Sequence, residues 1–78
     1  YMAADQLAQN ENFEEVTGLT EEDLVNLPAG CVVVWDQGNG HPHGHILVSL
    51  GDGREASDVI RPMTQGYGTT FRVFQPAR

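Results

Sequence analysis

The stretch "GNGHPHGHILVSLGDGREASD" (Gly38–Asp58) decides how this chain folds and where its chemistry can lie. Three histidines alternate with Pro and Gly, an apolar run follows, and Gly-Asp-Gly leads into a charged segment. Asp52-Gly53 is a tight-turn signal, because a two-residue hairpin loop needs positive φ at its centre. Folded there, His45–Gly51 and Arg54–Ile60 are antiparallel strands. Such a turn sets Gly51 opposite Arg54, Ser49 opposite Ala56 and Leu47 opposite Asp58. Alternation then places His45, Leu47, Ser49, Ala56 and Asp58 on one face.

Working outward, "AGCVVVW" is a β-branched run ending in an aromatic, which predicts a buried strand from Cys31 to Trp35. "DQGNGHPHG" is a loop by composition. "TTFRVFQP" is a last strand, with Phe71, Val73 and Phe74 apolar, and "RPMTQGYG" before it is irregular. Toward the N-terminus, Met2–Gln9 reads as a short helix with Ala3, Ala4, Leu7 and Ala8 on one face. Asn10–Gly18 is a polar connector from which Phe13 and Val16 dip into the core. Thr20 N-caps a second short helix, with Asp23 three residues on as a variant capping box. Pro28 stops it near Leu27, since the residue before proline avoids helical geometry. The expected class is α+β: two short N-terminal helices followed by an antiparallel sheet of about four strands.

With 78 residues there is room for one domain and a marginal core. The net charge of −7, with four arginines and no lysine, provides no basic footprint for phosphate backbones. Nucleic acid and anionic membranes are therefore poor partners. The single Cys31 excludes an internal disulfide and a multi-cysteine zinc site. No apolar run approaches membrane-spanning length. The chain opens on Tyr1-Met2 and on what looks like the middle of a helix, so it reads as a piece of something longer.

Three uses of the histidines compete. His41-x-His43-x-His45 could chelate a divalent ion from an extended loop and serve a metal-dependent hydrolase, although a His-Pro-His loop is more often simply solvated. Alternatively the segment is a polar contact surface of a binding module. The third use is catalysis, and it singles out His45, which opens a strand and is fixed by sheet hydrogen bonds. A general base works best on a rigid element with an orienting partner on the next strand. With the two-residue turn that partner is Asp58, a diagonal neighbour of His45. A three-residue turn with a bulge would instead bring Glu55 and Ser57 onto the histidine's face, with Glu55 farther along the strand. A His–acid pair commonly activates a nucleophile. Cys31 beside "VVVW" fits a small buried hydrophobe better than a reactive thiol, and Ser49 lies mid-strand without a strained turn or helix dipole to activate it.

These residues resemble the C-terminal half of papain-like cysteine peptidases and amidases of the NlpC and CHAP type. Leu27-Pro28-Ala29-Gly30-Cys31 matches a Leu-x-Pro-Gly-Asp signature, with Cys31 where that pattern has Asp. Gly44-His45-Ile46 matches the strand that carries the base, and Gly51-Asp52-Gly53 the turn after it. The similarity spans Leu27–Pro76. It implies a papain-like half-domain, with His45 as general base and Asp58 or Glu55 as its orienter; ungapped family spacing falls on Ser57 between them. It further implies a nucleophilic Cys on a helix in an N-terminal segment of the same protein, since "YMAADQLAQ" has none. Residues 1–78 would then be a single domain or the C-terminal portion of a larger peptidase domain. The implied substrate is an amide in peptidoglycan peptides, the implied location is secreted or periplasmic, and no metal or other cofactor is called for. Trp35, Tyr67 and Gly66–Gly68 are candidate groove walls, Trp35 being also a core candidate.

Overall fold

A computed structural model describes residues 3–77. It is a single six-stranded antiparallel sheet in the order β1-β6-β2-β3-β4-β5, with strands β1 (Phe13–Val16), β2 (Val32–Trp35), β3 (His45–Ser49), β4 (Arg54–Ala56), β5 (Ile60–Pro62) and β6 (Phe71–Pro76). Helix α1 (Ala3–Ala8) precedes β1, and a 3-10 helix (Glu21–Asn26) lies between β1 and β2. The molecule is thus mostly β, which corrects the α+β expectation of two helices and about four strands. The expected first helix began at Met2, which lies outside the described residues.

Two strands account for the difference. Phe13–Val16 pairs with β6, Phe13 opposite Pro76 and Val16 opposite Val73. Its apolar residues are three apart around Glu14-Glu15, so it lacks the alternation that marks a strand. The segment Arg54–Ile60, read as one strand, is two: Ser57–Val59 turns the chain, Ser57 N–H donating to the Val59 carbonyl (3.1 Å). Residues Ile60–Pro62 then pair back onto β4.

The second helix keeps the expected limits but is 3-10. The Asp23 carboxylate accepts from Thr20 N–H (2.8 Å) and Thr20 Oγ1–H (3.1 Å), tying the N-terminus as a capping box does. Leu27, ahead of Pro28, has extended geometry (φ −64°, ψ 139°), as the proline requires.

Both faces of β2 are covered, which is why "VVVW" is apolar without alternation. On one face Val33, Trp35, Leu47 and Val73 pack with Leu24, Leu27, Cys31 and Met63, beneath the 3-10 helix and the chain that follows β5. On the other, Val34 and Phe74 pack against Ala4 of α1. Arg72 links β6 to β1 through two bonds to the Glu15 carboxylate (2.7 and 2.8 Å) and to α1 through Asp5 (3.2 Å). The Arg72 bonds hold the Glu15 carboxyl below the ordinary carboxylate range.

Candidate functional site: a histidine–glutamate pair on the sheet

The geometry of the site is set by the loop between β3 and β4. Gly51 and Gly53 take positive φ (88° and 83°) and Asp52 does not. Leu50 N–H donates to the Arg54 carbonyl (3.0 Å), so the loop has three residues, with glycine at its left-handed position. This fixes the register: Ser49 faces Glu55 and Val48 faces Ala56. Relative to a two-residue turn this is a slip of one residue on β4, which sends each of its side chains to the other face. Glu55 therefore joins His45, Leu47 and Ser49.

His45 Nε2 lies 2.8 Å from Glu55 Oε2. Four residues of strand, roughly 13 Å, separate His45 from Ser49, the cross-strand neighbour of Glu55. Leu47 lies between them along the strand, and the two side chains lean toward each other across it. Glu55 is fully buried, and the His45 side chain is 20% exposed. Both carboxylate oxygens are hydrogen-bonded. Oε1 accepts from the backbone N–H of Thr64 (2.6 Å), and Oε2 accepts from His45 and from Arg61 Nε (3.3 Å). Burial pushes the Glu55 carboxyl up, but the bonds from His45 and Thr64 outweigh it and hold it below the ordinary glutamate value.

An ionised carboxylate only accepts hydrogen bonds, and a guanidinium only donates. The neutral His45 ring must therefore carry its proton on Nε2 to bond Glu55. The approach of Arg61 Nη2 to the same nitrogen (3.3 Å) is then a contact between two donors. Nδ1 is the basic nitrogen. Among the described residues it has no protein partner, and it is not a closed-off buried atom.

The ring's position is fixed from before the strand. Gly44 has φ 68°, and a Cβ there would stand 2.5 Å from the Trp35 carbonyl oxygen, so only glycine lets the chain enter β3 opposite Trp35. Tyr67 stands beside the ring, its centroid 6.1 Å from His45, 5.5 Å from Trp35 and 3.8 Å from His41.

The other candidates lie elsewhere. Asp58 is exposed in the Ser57–Val59 turn. With Ser57 it lines a groove of about 600 Å³ beside α1, shared with Ile46 and Val48, which leave β3 on the face opposite His45. His41 stacks on Tyr67, at 16° between planes, and His43 is exposed. Among the described residues no three His, Cys, Asp or Glu side chains gather as a metal site.

Cys31 is 2% exposed in the core. It lies at the far end of β2 from His45, beside Ser49, because Trp35 is the residue opposite His45. Ser49 Oγ accepts from Cys31 N–H (3.0 Å) and donates to the Pro28 carbonyl (2.5 Å), so its hydroxyl is committed to the backbone. Arg61 and Thr64, which complete the carboxylate's shell, fall in the segment read as irregular; their only sequence signal is position, Arg61 being the cross-strand partner of Glu55. Trp35 is fully buried, against Phe71 and Tyr67. Comparison with protein-family models, with curated proteins and with solved structures finds no match for this chain.

Proposed function

We propose that this chain supplies the general-base half of a thiol peptidase or amidase, with His45 as the base and Glu55 as its orienter. The observation that carries this is the His45–Glu55 bond, made on a fully buried carboxylate while the opposite ring nitrogen stays open. A base needs a lone pair facing its proton donor and a partner that stabilises the imidazolium it becomes. Nδ1 offers the first and Glu55 the second.

Glu55 takes the orienting role in place of Asp58, which sits at a hairpin tip on the other side of the sheet. The attacking thiol lies outside these 78 residues, as the likeness to NlpC and CHAP peptidases implies, because Cys31 is sealed in the core four register positions away. The proton passes from that thiol to Nδ1, the thiolate attacks an amide carbonyl, and the imidazolium returns the proton to the leaving amine. Peptidoglycan peptides remain the substrate class of choice on the same likeness, with a secreted or periplasmic setting.

The test is amide hydrolysis by the protein expressed from its whole reading frame, assayed on muropeptides. His45→Ala abolishes turnover while the protein stays folded. His41→Ala and His43→Ala, one stacked and one exposed, each lose less than about tenfold. Equal losses at all three histidines would refute the base assignment and point to a shared ion.

A further inference from the structure

We infer that Tyr67 is the substrate-contact residue of this site, an aromatic wall that takes the flat face of the peptide amide or sugar ring adjoining the scissile bond. The inference rests on the assignment of His45 as base and supplies the surface along which that base meets its substrate. The Tyr67 ring lies 6.1 Å from the His45 ring, at 24° between planes, and 3.8 Å from the His41 ring, at 16°. Tyr67 is partly exposed, whereas Trp35, 5.5 Å away, is fully buried. Trp35 fills the core, and Tyr67 packs on it while keeping a surface for a ligand. His41 also lines an open hollow of about 550 Å³ with Gln37, Gly38, Gly40 and Pro42, a volume that suits a small-molecule site. A substrate with its amide at His45 runs along Tyr67 and His41 toward that hollow.

Two elements hold this ring in place. Asn39 and Gly40 (φ 47° and 82°) form a two-residue turn, closed by Gly38 N–H to the His41 carbonyl (2.9 Å) and His41 N–H to the Gly38 carbonyl (2.8 Å). That turn brings Asn39 Nδ2–H to the Tyr67 carbonyl (3.3 Å) and the His41 ring onto the Tyr67 ring. Glu21, at the start of the 3-10 helix, holds the chain just before Tyr67. Its carboxylate accepts from Gly66 N–H (2.7 Å) and its backbone carbonyl from Gln65 Nε2–H (3.1 Å). Gly68 has φ 89°, and a Cβ there would overlap the Asn39 side chain, so only glycine lets the turn close on Tyr67. An aromatic fixed in this way has already lost the loop and rotamer freedom that a ligand would otherwise have to freeze. Asn39 is accordingly a positioning residue for the Tyr67 contact.

The experiment measures affinity in the protein expressed from its whole reading frame, carrying His45→Ala so that nothing is turned over. The probes are a disaccharide-bearing muropeptide and its free stem peptide, each titrated by calorimetry. Tyr67→Leu keeps apolar bulk against Trp35 but removes the flat ring, and it weakens binding about fivefold, the equivalent of one aromatic stacking contact. Tyr67→Phe keeps the ring and stays within about twofold of the parent. A loss with both probes assigns the peptide amide to Tyr67; a loss with the sugar-bearing probe alone assigns the sugar ring. Unchanged affinity in Tyr67→Leu overturns the inference by leaving Tyr67 as packing only. An equal loss in Tyr67→Phe overturns it by moving the contact to the hydroxyl, and a parent that binds neither probe overturns it as well. Should Tyr67→Leu fail to fold, Asn39→Gly keeps the positive φ, removes the bond to Tyr67 and weakens binding about threefold; unchanged affinity there ends the proposal too. The base assignment fails separately, if His45→Ala retains turnover, and that result leaves the Tyr67 contact standing.

Discussion

Glu55→Gln replaces the buried carboxylate with a group of the same shape but a different set of donors and acceptors. Three N–H donors converge on Glu55, from His45 at 2.8 Å, Thr64 at 2.6 Å and Arg61 at 3.3 Å. A carboxamide offers one acceptor oxygen and one donor nitrogen. If its oxygen faces Thr64, its NH2 faces His45 and Arg61; if reversed, its NH2 confronts the Thr64 backbone N–H, which cannot turn away. The first arrangement wins, because His45 can respond by moving its proton from Nε2 to Nδ1, and half-exposed Arg61 can swing into solvent. The substitution therefore inverts the tautomer and leaves the open nitrogen protonated. Three charge-assisted bonds become two neutral bonds, to Thr64 and His45, and one lost contact. Discounting the Arg61 share for solvent screening, the cost is about 2 kcal/mol, or a fall in Tm of roughly 8–16 °C for a domain of this size. Urea unfolding measures the first quantity and imidazole nitrogen spectra the tautomer. Asp58→Asn, at an exposed turn, is the control and changes neither. A Glu55→Gln protein within about 0.5 kcal/mol of wild type and with Nε2 still protonated would refute the donor accounting.

Two further outcomes test the frame around the site. Gly44→Ala sets a Cβ against the Trp35 carbonyl oxygen at positive φ and costs at least about 2 kcal/mol in thermal or urea melts; a loss below about 0.5 kcal/mol would mean that the entry to β3 is not where it is drawn. Acid sensitivity tests the carboxylate. Because the folded Glu55 carboxyl is held below its ordinary value of 4.5, its contribution is present above that pH and is lost as the pH falls through the depressed value. The stability gap between wild type and Glu55→Gln should accordingly narrow below pH 4.5, and a gap that widens there would contradict the sign of the shift.

How far the sequence discloses all this depends on which residues are asked. The run Val32–Trp35 announces a doubly covered central strand, and Gly44-His45 announces a strand with an anchored imidazole at its start. The orienter is harder, because it turns on a single backbone choice: whether Asp52 or the glycines on either side of it adopt positive φ. Gly51 as well as Gly53 does so, the loop gains a residue, and the acid on the histidine's face becomes Glu55. The edge strands escape for different reasons. Glu14-Glu15 interrupts the apolar alternation of β1, and Ser57–Val59 hides a second reversal inside an apparently continuous run. Arg61 and Thr64 carry no local signature at all, since their roles exist only once β5 is laid beside β4.

The most direct test of the His45 base is an experimental structure of the protein expressed from its whole reading frame. In that structure a cysteine Sγ should face His45 Nδ1 within hydrogen-bond reach, with Glu55 still bonded to Nε2. A ring whose Nδ1 is covered by apolar side chains, or which has left Glu55, would contradict it.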